Sequence, residues 1–333
     1  GGKLKVREQL KSILSHWGFI ENLDVKVEDI SYEPNRESHI WTINEDYLLK
    51  MTYTKEEMVN NICLLNLLHK ASIPVQQVVY TLDKTSYVQI DNKYYVLRVP
   101  GKGTEDMISR EDEIKNAIYA DEIGINCRVV YFNKESGVKI SKFIENAQTL
   151  SPESTKSQNN MIMVCEILKK LHNYDKKMSN NFNIYGKIEQ YEKLAKEVNA
   201  IFFDDYYEVK NKVLYLKNIM DKLDVKLVPC HNDTIAENFI KSGEDKMYLI
   251  DWEYAGMNDP MWDLSAYSLE NKFSEDEEEL LLNIYFDGNL ELKFKKRILI
   301  NKVYQDFLWS TWTIIKEAKG EYFGSYGIDR YNR

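Results

Sequence analysis

The 333-residue chain lacks a basic surplus: 53 acidic side chains outnumber 44 basic ones, a net charge of −9. That argues against a nucleic-acid partner, because binding a phosphate backbone needs excess lysine and arginine. It is compatible with a cationic substrate. Cysteine is sparse, and Cys63, Cys127, Cys165 and Cys230 show no C-x-x-C spacing. A zinc or disulfide framework is thereby excluded, and buried thiols in a reducing cytoplasm are expected. No apolar run reaches the length of a membrane-spanning helix, and no signal-peptide-like stretch precedes the first predicted helix. A cytoplasmic location without membrane insertion is the expectation. The Gly1-Gly2 start reads as a processing scar. His16, His39, His69 and His172 belong to no constellation and are expected to be surface or core residues.

What the chain does carry is concentrated between residues 229 and 253. His231-Asn232-Asp233 is followed by Asn238, and the apolar run Met247-Tyr248-Leu249-Ile250 delivers Asp251-Trp252-Glu253. Between them, Lys241-Ser242-Gly243-Glu244-Asp245 predicts a hairpin turn with glycine at the bend. The pattern presents a carboxylate, an amide and, across the hairpin, a second carboxylate. Phosphoryl transfer calls for that set: an aspartate to orient the acceptor hydroxyl and take its proton, and an asparagine and an aspartate to hold Mg²⁺. A lone HxD, or a lone Asp after a strand, carries little information. The full HxDxxxxN followed by the second Asp carries much more. His231 is expected to position this loop and not to act as a base, and Asp263 to hold it.

The length suits one two-lobed enzyme or two domains. A helix is expected over 4–16, strands over 25–53 around a polar bend at 33–38, and a helix over 55–70. Lys50 falls in an apolar strand, 47–51. A second, similar cycle ends a strand at Arg98 and opens a helix with Ser109 at the cap and acids in its first turn. Gly124 closes that helix, and strands follow over 128–132 and 137–144 around the turn at 133–137. From Pro152 long helices are expected: 157–172, 188–200, 205–221, 274–286 and 291–318. The run Glu275–Glu279 reads as a solvated helix start favoured by the dipole. The fold class is α+β, with a β-rich small lobe over residues 1–145 and a mostly helical lobe over 146–333.

From about Tyr94 onward the chain resembles bacterial choline kinases, in the aminoglycoside-phosphotransferase-like branch of the protein-kinase-like fold. The resemblance rests on RVPGKGTEDMISREDE, GVKISKFIENAQTL, CHNDTIAENFI, LIDWEYAGMNDPMWDLSAYSLE, FLWSTWTIIKE and YFGSYGIDRYNR. It implies ATP and Mg²⁺ as cofactors, Asp233 as catalytic base, and Asn238 and Asp251 as metal ligands. It further implies Arg98 on the ATP phosphates with Glu113 as helix partner, and the hinge Ile140–Ile144, including Lys142 and Ile144, along the adenine.

A quaternary ammonium cannot donate a hydrogen bond, so a protein holds it with aromatic faces and diffuse negative charge. Trp309 and Trp312 lie on one helix face, a spacing that by itself suits core packing as well as a cage. By resemblance, the choline cage comprises Tyr254, Glu270, Trp309, Trp312 and Tyr326. Trp262 suits either core or pocket wall.

One stretch departs from the family pattern. A glycine-containing nucleotide loop is missing before Arg98, where Thr81-Leu82-Asp83-Lys84-Thr85-Ser86 stands instead. Residues 26–97 resemble the small lobe of aminoglycoside-type phosphotransferases, which implies Lys50 as a rival to Arg98 for ATP. A remodelled small lobe and a joining of two family members both fit; Arg98 with Glu113 is the preferred assignment. The function implied is ATP-dependent phosphorylation of choline to phosphocholine. A kinase for an aminoglycoside or another amino alcohol, and a non-catalytic choline-binding module, are the alternatives. The intact Asp233, Asn238 and Asp251 favour an enzyme.

Overall fold

The computed structural model describes residues 27–29, 41–43, 95–98, 106–134, 137 and 139–333. The segments expected as helices at 4–16 and 55–70, together with Lys50 and Cys63, lie outside them. The strands are β1 (Val27–Asp29), β2 (Trp41–Ile43), β3 (Tyr95–Arg98), β4 (Val129–Phe132), β5 (Lys139–Lys142), β6 (Ala147–Thr149), β7 (Val228–Cys230), β8 (Phe239–Ser242), β9 (Lys246–Leu249) and β10 (Gly256–Asn258). The helices are α1 (Arg110–Glu122), α2 (Gln158–His172), α3 (Ile184–Glu197), α4 (Tyr206–Tyr215), α5 (Lys217–Met220), α6 (Pro260–Glu270), α7 (Glu275–Tyr285), α8 (Leu292–Ala318) and α9 (Tyr326–Tyr331). They fall into two units, one holding β1 to β5 and the other holding α1 and everything from residue 148 on.

In the first unit β1 and β2 pair antiparallel, with Val27 opposite Ile43. β3, β5 and β4 form an antiparallel sheet in that order. Arg98 lies opposite Lys139, and Tyr95 opposite Lys142. The turn between β4 and β5 falls where expected. Its Gly137 N–H donates to the Asn133 carbonyl at 2.8 Å, and Gly137 sits at φ +70°, a region glycine enters without steric cost.

In the second unit the helix starts follow their caps. The Ser109 side chain accepts from the Asp112 N–H, and Glu111, Asp112 and Glu113 complement the dipole of α1. Ser274 and Glu277 close a capping box on α7, so the acid run is a helix start as expected. Asn183 caps α3 through the Gly186 N–H, which begins that helix four residues before the expected 188. The helix expected over 205–221 is broken at Leu216, between α4 and α5. β8 and β9 form the predicted hairpin, with Phe239 opposite Leu249. β7 pairs antiparallel with β10, with Cys230 opposite Gly256.

The core of this unit forms around α8, which packs against α3, α6 and α9. Ile300, Tyr304, Phe307, Leu308, Ile314 and Ile315 are buried there with Ile188, Tyr191, Leu194 and Trp262. Each such side chain removed from water contributes about 1.5–3 kcal/mol before chain entropy is set against it. Trp262 is a core residue, 4.9 Å from Phe182 between ring centroids. The short helix α9 was not foreseen. A Cβ at Gly327 would lie 2.7 Å from Thr313 Cγ2, so only glycine lets α9 approach α8 this closely. Cys165 and Cys230 carry free, buried thiols, and Cys127 is half-buried. Among the described residues no helix is long and apolar enough to cross a membrane.

Candidate active site

The segment joining β7 to β8 is held from beneath by Asp263 of α6. Its carboxylate is fully buried and accepts the backbone N–H groups of His231 at 2.8 Å and Asn232 at 2.7 Å. The Thr234 hydroxyl donates to the Asp263 carbonyl at 2.6 Å, and Trp262 Nε1–H to the Asn232 carbonyl at 3.0 Å. A buried carboxylate persists only when donors replace lost water, and two backbone amides do so here. Asn232 adopts φ +68°, a left-handed conformation that asparagine tolerates better than most residues. Its side chain donates to the Tyr254 carbonyl at 2.9 Å and accepts from Asn258 Nδ2 at 2.8 Å.

His231 is structural, as expected. Its Nδ1 accepts the Asp233 N–H at 3.3 Å and its Nε2 lies 2.8 Å from the Ile250 carbonyl. That pairing assigns one neutral tautomer, with the proton on Nε2. Burial holds the imidazole below its usual pKa. His172 corrects the expectation that it belongs to no constellation. It is buried, with Nε2 3.0 Å from Asp263 Oδ2 and Nδ1 2.7 Å from the Tyr285 hydroxyl.

Asp233 is half-buried at the centre of the loop. The Asn238 side-chain amide donates to its carbonyl at 2.8 Å and to its carboxylate at 3.1 Å. Burial, then the neighbouring charges of Asp251, Glu253 and Glu270, push the Asp233 carboxyl well above the usual range; the Asn238 bond opposes this. The Ile250 N–H donates to the Asn238 carbonyl at 2.9 Å, which brings the start of the second motif to the end of the first. Asp251 follows at φ +70°. Trp252 turns into the core, its ring 4.8 Å from His231 and its Nε1–H on the Leu249 carbonyl at 2.9 Å.

Carboxylate oxygens of Glu113, Asp251 and Glu253 lie within 4.8 Å of one another. Arg110 donates to Glu113 at 2.7 Å and to Glu253 at 3.3 Å. With its NH₂ on Asp233, Asn238 has its amide oxygen as the atom available to a metal. Together with Asp251 it makes a hard, all-oxygen donor set, which fits Mg²⁺. Arg98 ends β3 in the other unit and is half-buried; Lys142 is exposed and Ile144 buried. Lys50 is outside the described residues.

A cavity of about 460 Å³ opens beside Asp233. All five cage candidates line it: Tyr254, Glu270, Trp309, Trp312 and Tyr326. Tyr254 and Trp309 meet edge to face at 5.2 Å, and Trp309 and Trp312 at 6.3 Å and 86°. Trp309 is buried and Trp312 half-buried. Burial raises the phenols of Tyr254 and Tyr326 above their usual pKa, so both stay neutral. Arg330 of α9 donates to Glu270 and, at 3.0 Å, to the Tyr326 hydroxyl. Glu253 closes the second motif without a role, and neither Arg110 nor Arg330 is given one. Only the spacing of Arg110 three residues before Glu113 was a local signal.

Residues 64–286 match the family model described as choline/ethanolamine kinase. The match begins upstream of Tyr94, where the motif-based resemblance starts. Protein LicA of Haemophilus influenzae is 30% identical over 85% of this chain and 83% of its own. The crystal structure of choline kinase LicA from Streptococcus pneumoniae is 39% identical, with a TM-score of 0.66 over 73% of this chain and 85% of that one. A LicA structure in complex with AMP is 37% identical, with a TM-score of 0.64 over 73% of this chain and 83% of the other.

Proposed function

The chain belongs to the choline/ethanolamine kinase family, and within it we propose that the protein transfers the γ-phosphoryl group of ATP to the hydroxyl of choline, giving phosphocholine and ADP. It is a phosphotransferase enzyme with the protein-kinase-like fold. The observation that carries the choice of substrate is the shared cavity, in which Asp233 sits with four aromatic side chains and Glu270. Aromatic faces suit a trimethylammonium group, which has no N–H to satisfy. With that group among Tyr254, Trp309, Trp312 and Tyr326, the short chain of choline extends its hydroxyl toward Asp233.

In this reading Asp233 orients the hydroxyl and takes its proton as the oxygen bonds to phosphorus, while ADP departs with the electrons of the broken P–O bond. Asn238 fixes the Asp233 side chain for that task. When bound, Mg²⁺ supplies charge neutralisation of the phosphates; Asn238 and Asp251 would hold it. Arg98 serves the ATP phosphates, and Lys142 and Ile144 line the adenine. The AMP complex of a relative supports a nucleotide site. A cytoplasmic setting completes the proposal.

The test is ADP release with choline, ethanolamine and kanamycin as acceptors. Choline is expected to be turned over with the highest kcat/KM. Preference for kanamycin, or turnover of none, would sink the choline assignment.

A further inference from the structure

Of the four carboxylates that line the cavity, Glu237 is exposed and the other three have donors of their own. Asn238 donates to Asp233, Arg110 to Glu253, and Arg330 to Glu270. Glu270 is the one set against the aromatic wall. Its oxygens lie 3.4 and 3.5 Å from the Tyr326 hydroxyl, which itself accepts from Arg330 NH1 at 3.0 Å. The Arg330 guanidinium sits over the Tyr326 ring at 5.2 Å. Its Nε lies 3.2 Å from Asp306 Oδ1, and Arg333 reaches the other Asp306 oxygen at 3.5 Å. Arg330 is only 2% exposed, so water does not screen its pairing with Glu270.

We infer that Arg330 is a specificity-determining residue: by cancelling the charge of Glu270 it makes the cavity select a quaternary over a primary ammonium. The inference rests on the choline kinase reading. A primary ammonium such as that of ethanolamine brings three N–H donors and gives up its water on entry. It then needs acceptors, and an unmet donor in a desolvated site is costly. Glu270 is engaged with Arg330 and Tyr326, so this wall offers chiefly ring faces. Trimethylammonium has no donor to lose and is held by those faces. An unpaired Glu270 would reverse the balance, giving a primary ammonium both a charge and an acceptor.

Arg330 acts on the substrate through Glu270, so the test must separate charge from the docking of α9. Values of kcat/KM for choline and ethanolamine are measured on the wild type, Arg330→Met, Arg330→Lys and the double variant Arg330→Met/Glu270→Gln. The wild type is expected to prefer choline. Arg330→Met should shift the choline-to-ethanolamine ratio toward ethanolamine by about tenfold or more, the discrimination of one charge-assisted hydrogen bond. Arg330→Lys keeps the charge and should keep the preference. The double variant should recover most of it, because glutamine presents an acceptor but no anion. If both efficiencies fall together with the ratio within about twofold of wild type, Arg330 merely docks α9 and the inference is overturned. A ratio that the double variant fails to restore overturns it as well, as does a wild type that prefers ethanolamine. Should Arg330→Met not fold, a shifted ratio in Arg330→Lys, which retains the charge, also counts against the inference. A wild type that phosphorylates neither amine instead removes the underlying choline kinase reading.

Discussion

Asn238 donates its one side-chain NH₂ group to Asp233 twice, at 2.8 Å to the carbonyl and at 3.1 Å to the carboxylate. The loop and its carboxylate are thus held by the same amide. Asp233 is placed before substrate arrives, and the orienting cost is met in folding.

Replacing Asp233 with alanine is expected to lower kcat by at least about 10²–10⁴-fold, the usual contribution of a positioned base. Choline affinity should stay within a few fold, since the proton moves only in the transition state. Paired ADP-release kinetics and calorimetric titration read the two effects. Near-normal turnover would remove Asp233 from the chemistry.

The pH dependence of stability follows from the raised pKa of Asp233. The folded state holds this proton more tightly than the unfolded chain, so the favourable contribution is complete below the unfolded carboxylate value of about 3.9. It is lost as pH rises through the folded value, above which the buried charge opposes folding. Asp233→Asn, which is neutral throughout, should therefore melt higher than wild type at pH 8. Its advantage should shrink steadily on acidification toward pH 4. A constant difference in melting temperature across that range would contradict the assignment.

Trp309→Ala and Trp312→Ala should each raise the choline KM by an order of magnitude, from roughly 1–2 kcal/mol per desolvated cation–π contact. Trp309 is the more buried of the two, so it should also lower the melting temperature further. Loss of stability in both variants with unchanged KM would reassign the pair to the core.

Gly327→Ala tests how α9 reaches the cavity. The added methyl meets Thr313 Cγ2 at 2.7 Å, and overpacking of this kind costs about 1–3 kcal/mol. Because α9 carries Tyr326 and Arg330, the choline KM should rise along with the loss in melting temperature. Pairing it with Thr313→Ala removes Cγ2 but leaves the Thr313 Cβ position at 2.8 Å, so it should restore both only in part.

For the nucleotide, Arg98→Met is expected to raise the ATP KM or depress kcat much more than Lys50→Met does. Measured side by side, an inactive Lys50→Met with a normal Arg98→Met would transfer the phosphate-binding role to Lys50.

Local chemistry was legible in the chain itself. The spacing of Asp233, Asn238 and Asp251, the hairpin bend at Gly243, the Ser109 cap and the acid-led start of α7 each depend on residues within one turn or one hairpin. Short-range sterics and hydrogen bonding decide such features, and those forces are written in neighbouring residues. The break at Leu216 and the existence of α9 lay beyond that range. So did His172 on Asp263 and Arg330 on Glu270, pairs separated by 91 and 60 residues. Helical spacing put Trp309 and Trp312 on one face but did not say whether that face met core or cavity. The packing of α8 against α3, α6 and α9 sets both rings beside the cavity, with Trp309 buried in the core as well. Periodicity states which side of a helix is apolar, whereas the partner that covers it is set by the joint packing of distant segments.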